Sequence, residues 1–343
     1  MKFLSILAIG LLAGWQALAC TSFEFGNSQQ GGLAHNFDWF DKMGYTAAYF
    51  VNARGTSKDG LNLFNSDPVA HWTSKYGSVT YSLVGREFPV GGQNEKGLVI
   101  HAQQAPVAQY PTGSLPVMDA LQWMQYLLDT SATVPEALQN AALVRPVSSL
   151  VLHFFICDAS SACAVVEFIN GAMVSYSGSS LNVPALTNSD YPTSVSTWQG
   201  CPSSGDCKLS DNSLERFTEA ASLSANYSAQ DPLQYAMDGL TEVAQSHGVF
   251  TRYHFYNPAQ AVGTIYFSGG LQPAWQSIDI SQLDYSCAGA GKYFEVDLNG
   301  TGDQTAKFIP FDIAEQQKLV AQVPAKPEWV PLLVNYPSTT TCQ

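Results

Sequence analysis

The sequence predicts an α+β domain in which helices are layered on antiparallel sheets. Three observations predict it. Strand-like stretches follow one another over residues 20–104, apolar residues recur at helical spacing over 116–143, and strand-like runs return at 147–156, 163–176 and 250–268. Strands, then helices, then strands again build helix layers on sheets around a shared core. Composition agrees: 46% of residues are hydrophobic and 13% charged. A chain so composed buries a sizeable core and is not disordered.

The elements follow in order. Lys2, the apolar run from Phe3 to Gly14, and the triplet Ala17-Leu18-Ala19 form a secretory signal pattern with cleavage after Ala19. Residues 20–343 are then expected to form a single domain, periplasmic or secreted. No later stretch offers the ~18 unbroken apolar residues of a membrane span. The first strands are "CTSFEFG", "GGLAHNFDWF", "AAYFVNA", "SVTYSLVG" and "KGLVIHAQ". In the fourth, Val79, Tyr81 and Leu83 alternate with Ser78, Thr80 and Ser82. Met118, Leu121, Met124, Leu127 and Leu128 mark a helix, and "SATVPEALQNA" a second one with Pro135 near its start. Residues 186–211 are polar and contain Gly, Pro and Ser, so they read as loop. "SDNSLERFTEAASLSA" is an amphipathic helix with Ser210 or Asp211 as cap, and "DPLQYAMDGLTEVAQS" is another. "FTRYHFYNPAQAVGTIYFSG" reads as a strand pair, and the tail from residue 285 is mixed.

Charge excludes one class of partner. The net charge is -13, with no block of Lys or Arg, so a nucleic-acid backbone is repelled. The histidines outside the first hairpin, His71, His101, His153, His247 and His254, follow no metal spacing, and there is no Cys-x-x-Cys. No metal and no cofactor is expected. The seven cysteines are an odd number, and an oxidising compartment pairs all but one. Connectivity is open at this level. The simplest pairing closes Cys157–Cys163 across "DASSA" and Cys201–Cys207 across "PSSGD", joins Cys287–Cys342, and leaves Cys20 free.

Cys20 directly follows the cleavage triplet. A mature N-terminal cysteine carries thiol and amine on one residue, with reference pKa values of about 8.5 and about 7.7–8.0. The amine can therefore act as the base for the thiol. Such a site also needs a carboxylate for the amine and donors for a tetrahedral oxyanion. Asp38 returns towards Cys20 if residues 20–26 and 33–40 pair as a hairpin. The rival reading makes Cys20 the lipid attachment site of a lipid-anchored or secreted binding protein. Ala17 stands where a lipoprotein signal usually carries Leu.

"CTSFEFG…GGLAHNFDWF" resembles the opening of the choloylglycine hydrolase/penicillin V acylase family, N-terminal-nucleophile cysteine hydrolases of linear amides. "GGQNEKGLVIH", "ALTNSDYPT" and "SLERF" resemble three further family motifs in the same order, so the resemblance covers residues 20–217. It implies a four-layer αββα sandwich of the N-terminal-nucleophile hydrolase type. It implies Cys20 as nucleophile and, through its amine, base; Asp38 on the amine; Asn94 in the oxyanion hole; Asn188 on the oxyanion or the amine side; and Arg216 beside the thiol. Trp39, Phe40, Tyr45 and Tyr81 would rim the pocket of a small-molecule amide with an apolar acyl group. His35 departs from the pattern, standing where the family usually carries arginine. It would be a donor near the thiol whose charge depends on pH. The family's substrate classes are penicillin V, conjugated bile salts and N-acyl homoserine lactones, and export favours the first or the last. A homo-oligomer is left open.

Overall fold

The computed structural model describes residues 20–27, 30–40, 46–201, 212–228, 231–244, 249–256, 263–268, 274–289, 291–297, 299–323 and 325–342. The expected signal segment, Tyr45, Cys207, the cap at Ser210 or Asp211, and His247 lie outside the described residues, as does the side chain of Phe40.

The chain opens with β1 (Thr21–Gly26), β2 (Gly31–Phe40), β3 (Ala48–Asn52), β4 (Thr56–Asp59), β5 (His71–Thr73), β6 (Ser78–Ser82), β7 (Gly91–Asn94), β8 (Val99–Gln104) and β9 (Val117–Asp119). Helices α1 (Ala120–Thr130) and α2 (Val134–Ala141) come next, then β10 (Arg145–Val147), β11 (Leu152–Cys157), β12 (Cys163–Ile169), β13 (Ala172–Ser177) and β14 (Ala185–Leu186). After α3 (Tyr191–Gly200), α4 (Asn212–Ala225) and α5 (Pro232–Glu242) the chain returns to sheet in β15 (Val249–Tyr256), β16 (Thr264–Ser268) and β17 (Gln276–Asp279). It ends through β18 (Lys292–Glu295), β19 (Gly302–Asp303), β20 (Ile309–Pro310), α6 (Ile313–Ala321), α7 (Val330–Asn335) and β21 (Thr341–Cys342).

Two large sheets carry the fold. One runs β14-β1-β2-β15-β16-β17-β19, the other β13-β12-β11-β8-β7-β6-β3-β18-β20. Helices α4 and α5 pack on β1 and β2, while α1 packs on β7 and β8. The order of layers is therefore helix, sheet, sheet, helix. Both faces of the central strands are buried, which explains an alternation that looks half-polar. Val79 and Tyr81 face the other sheet. Ser78 and Thr80 on the opposite side are just as buried, and Asn52 Nδ2 donates to their hydroxyls at 3.1 and 2.9 Å.

The layer between the sheets is unusually polar. Ser22, His35, His254 and Tyr256 from one sheet meet Tyr49, Tyr81, His101 and Gln103 from the other, all buried. His35 stacks on His101 with ring centres 3.8 Å apart, and Tyr81 meets His254 edge-on at 4.6 Å. Gln103 Nε2 donates to Ser22 Oγ at 2.7 Å, and Ser22 Oγ shares a hydrogen with His35 Nδ1 at 2.8 Å. Buried polar groups are tolerated when they find such partners.

The structure departs from the sequence reading in two elements. Tyr191–Gly200, inside the expected loop, is α3. The Asp190 carboxylate accepts from Thr193 N at 3.0 Å and proline sits in the first turn, so a good N-terminus starts a helix in polar sequence. Conversely, the expected helix from 116 begins only at Ala120, capped by Asp119, because Val117–Asp119 pairs in parallel with β10. Where sulfurs are concerned, those of Cys157 and Cys163 lie 2.07 Å apart and those of Cys287 and Cys342 1.89 Å apart. Cys201 is also disulfide-bonded, and Cys20 is free.

Two glycine positions are dictated by close approach. Gly26 closes the β1–β2 hairpin at φ +81°, where a Cβ would come 2.0 Å from Gln30 O. A Cβ on Gly91 would lie 2.4 Å from His101 Cε1 and 2.5 Å from Nδ1. The His101 ring is held against His35 and has nowhere to withdraw. Gly91→Ala should therefore cost about 1–3 kcal/mol of stability through overpacking. The check is urea unfolding, where the midpoint should drop at unchanged slope.

Candidate active site

The β1–β2 hairpin sets the site. Its register pairs Thr21 with Asn36 and Ser22 with His35, which brings Asp38 back beside Cys20. Cys20 is 3% exposed, and its thiol points to the main-chain carbonyl of Asp38 at 4.0 Å. Burial pushes the thiol up to about 12, and the negative charge of Asp38 adds to that. The hydrogen bond to the Asp38 carbonyl and the positive charge of Arg216 pull the other way. The resting sulfur is therefore a neutral thiol at neutral pH, one that must hand its proton to a base to attack.

Arg216 comes from α4 and gathers the rest. Its Nη1 donates to Cys20 O at 2.7 Å and to Thr21 Oγ1 at 2.5 Å. Nη2 donates to Asn188 Oδ1 at 3.0 Å, and Nε to Asn212 Oδ1 at 2.9 Å. Guanidinium can only donate, so the oxygen of the Asn188 amide must face it. Asn188 Nδ2 is thereby turned to Gln104 O, 2.9 Å away, and carries a second hydrogen that this bond does not use. Asn188 follows β14, which pairs with β1 through Ser22↔Leu186, so the sheet itself carries Asn188 towards Cys20.

Cys20, Asp38, Asn188 and Arg216 thus come together. Three expectations are corrected. Asn94 is a structural residue of the β7–β8 turn. Its Nδ2 donates to Leu128 O and Ser131 O at 2.8 and 2.7 Å, and its Oδ1 accepts from Lys96 N and Leu98 N at 3.0 and 3.1 Å. Both N–H groups are spent holding the C-terminal end of α1, and none is left for an oxyanion. Tyr81 is a core residue rather than a rim residue: it is 2% exposed and packs between the sheets against His254, Tyr49 and Phe37. His35 carries no charge that varies near pH 7. Burial, then the neighbouring His254, holds it well below the ordinary histidine value, and a hydrogen bond to the Thr21 backbone offsets this only in part. It is a neutral ring in the inter-sheet layer, bonded to Ser22.

Trp39 is half-buried and stacks on Phe37 at 5.8 Å. Phe40 and Tyr45 were expected beside it, but the Phe40 side chain and Tyr45 lie outside the described residues. Arg216 also lines an open cleft of about 460 Å³ with Asn212, Glu215, Glu219, Glu242 and Ala244. Burial, then the charge of Glu219 and a hydrogen bond to it, raises the Glu242 carboxyl. Three buried histidine rings gather near the site, yet among the described residues no group of His, Cys, Asp or Glu is arranged to hold a metal ion. The sequence reading assigned nothing to Thr21, Gln104, Asn212 or Ser213. The i,i+3 spacing of Ser213 and Arg216 was the available signal, since it puts both on one helix face.

Cys20, Asp38, Asn188 and Arg216 form one cluster on this fold, and comparison with known proteins gives the class. Residues 20–225 match the model of the choloylglycine hydrolase family, linear amide C–N hydrolases, and the chain belongs to that family. Over 207 residues it is 30% identical to the penicillin V acylase of Pectobacterium atrosepticum, covering 54% of this chain and 53% of that protein. The chain thus matches about half the length of this curated relative. Among solved structures, penicillin V acylase from Agrobacterium tumefaciens superposes with a TM-score of 0.68 at 23% identity, over 85% of this chain and 98% of that one. A mutant of the conjugated bile acid hydrolase from Clostridium perfringens gives 0.62 at 15% identity, over 82% and 98%. These two likenesses establish the four-layer αββα fold.

Two variants probe the site. Arg216→Lys puts one ammonium where a planar fork serves four acceptors. It should fold but lose about a hundredfold in kcat/KM, roughly 2.7 kcal/mol, in assays of purified protein. The second is Glu24, on the same face of β1 as Cys20, whose carboxyl burial raises from 4.5 to about 7, a hydrogen bond from Ser161 opposing. Its folded pKa lies above its unfolded one, so its stability contribution is whole below pH 4.5 and lost as pH rises through 7. Glu24→Gln should leave stability unchanged near pH 4 and raise it by on the order of 2–3 kcal/mol at pH 8, by denaturant titration at both.

Proposed function

We propose that the protein is an exported acylase that hydrolyses a linear carboxamide through a thioester on Cys20, once residues 1–19 have been removed. The observation that carries this reading is the buried, free Cys20 thiol lying beside Asp38, with the Cys20 main-chain carbonyl joined through Arg216 to Asn188. A thiol pushed up to about 12 needs a base at contact distance. Removal of the leader supplies one, the α-amine of the same residue.

The steps follow. The amine takes the thiol proton as sulfur attacks the amide carbonyl carbon, and the Asp38 carboxylate stabilises the ammonium that forms. The carbonyl oxygen becomes an oxyanion, met by the second N–H of Asn188 Nδ2. The C–N bond breaks, the ammonium returns its proton to the leaving amine, and an acyl-thioester remains. Water then attacks the thioester with the amine again as base, releasing the acid and the thiol. Arg216 tethers the Cys20 main chain and orients Asn188 throughout.

The substrate is a small amide with an apolar acyl group, of the penicillin V or N-acyl homoserine lactone type, with a conjugated bile salt as the third candidate. Half-buried Trp39, stacked on Phe37 one strand away from Cys20, supplies an apolar surface for the acyl group. Export also accounts for the pairs Cys157–Cys163 and Cys287–Cys342, with Cys201–Cys207 as the third, in an oxidising compartment.

The test is a panel of the three substrate types on protein beginning at Cys20 and on protein retaining one residue before it. Free-amine protein should turn over at least one amide, and the extended form should be folded but inactive. Cys20→Ser should lose most of the activity, because its hydroxyl is far harder to ionise. Full turnover by the extended form would overturn the mechanism, and an intact mass showing a diacylglyceryl adduct on Cys20 would support the lipid-anchored binding protein instead.

A further inference from the structure

We infer that Ser213 is a positioning residue for Asn188, and that its hydroxyl, seated in the turn after β14, aims the amide hydrogen that acyl transfer uses. The inference rests on the acylase reading for its consequence, although the contacts stand independently of it.

Ser213 lies in the first turn of α4 and is buried. Its Oγ accepts from the main-chain N–H of Asn188 at 3.1 Å and of Ser189 at 2.9 Å. Ser189 Oγ also donates to it at 2.9 Å, and its own hydrogen goes to Thr187 Oγ1 at 3.1 Å. Thr187 Oγ1 in turn donates to Ser213 O at 3.0 Å. Two successive N–H groups converging on one oxygen form the concavity that elsewhere binds an anion. Here a neutral hydroxyl from the neighbouring helix fills it.

The consequence lies in geometry. Ser213 and Arg216 are three residues apart on α4, hence on one face. That face grips Asn188 twice: Ser213 takes its main-chain N–H and Arg216 its side-chain oxygen. An asparagine held at both ends keeps its Nδ2 in one orientation, with one hydrogen on Gln104 O and the other directed away from it. Loss of the Ser213 hydroxyl would leave the Arg216 contact in place but release the 187–189 turn. The amide then turns about the remaining contact, and an oxyanion donor displaced by about 1 Å loses much of its effect.

The experiment compares the wild type and Ser213→Ala, both beginning at Cys20, with active sites counted by alkylation of Cys20. Per counted site, kcat should fall ten- to a hundredfold while KM changes less than about threefold. A residue that only stabilised the helix would lower the number of active sites and leave kcat per site unchanged. Amide hydrogen exchange by NMR gives a readout that needs no substrate. In Ser213→Ala the Asn188 main-chain N–H should exchange at least tenfold faster, its side-chain amide resonances should move, and amides of the β1–β2 hairpin should keep their protection. Unmoved Asn188 side-chain resonances, or an unchanged kcat per site, would overturn the inference. Inactivity of the wild type on every amide would defeat the acylase reading alone, and the exchange data would still decide the role of Ser213.

Discussion

The guanidinium of Arg216 is the contact on which the arrangement depends. It joins Cys20, just before β1, through its main-chain O, to the end of an edge strand, through Asn188, and both to its own helix through Asn212. A planar group with five donors on fixed vectors is suited to this. The acceptors named are neutral oxygens, and the positive charge of Arg216 pulls the Cys20 thiol down against burial and Asp38. Because it can only donate, it also settles which way the Asn188 amide faces. One side chain thus decides the position of the Cys20 main chain, the orientation of the Asn188 amide and part of the local field.

The layer behind Cys20 works differently. Where the family usually carries a cation at the position of His35, this chain carries a ring that burial keeps neutral. The ring is bonded to Ser22, which Gln103 bonds in turn, and it lies against His101. The positive charge next to Cys20 is then chiefly that of Arg216. The hydrogen-bonded layer between the sheets supplies shape and register rather than charge. Burying polar groups in this way costs desolvation, and the bonds Gln103–Ser22–His35 and Tyr49–His254 offset part of it.

Much of this was legible in the sequence, for physical reasons that can be named. Cys20 stood out because small residues precede it, and Asp38 because a glycine-bounded turn returns one strand along the other. Asn188 and Arg216 were found through motif order. Asn94 was misread because an asparagine before "EKG" looks the same whether it closes a turn or faces a substrate. The carbonyls that decide the matter, Leu128 and Ser131, lie 34 and 37 residues further on. The neutrality of His35 was hidden for a similar reason, since its neighbours arrive on β8 and β15. Helix α3 was missed because its sequence is polar, and a cap at Asp190 outweighs composition. Ser213 stands in "SLERF" with nothing nearby in the sequence to mark it, since its partners are brought together only when β14 meets α4.

β1 is paired along both edges, with β2 on one side and β14 on the other, and Cys20 at its start is buried with its carbonyl held by Arg216. An endopeptidase works on an extended, unpaired segment that it can hold on both sides of the bond it cuts. Once β1 has taken its place, the bond preceding Cys20 offers no such segment on its downstream side. If a leader is removed, as the proposed function requires, its removal has to come before the hairpin joins the sheet. A chain that folded first would keep its extension and stay without a free amine. The order of two events in the life of the chain, cutting and then pairing, would decide which molecules become competent.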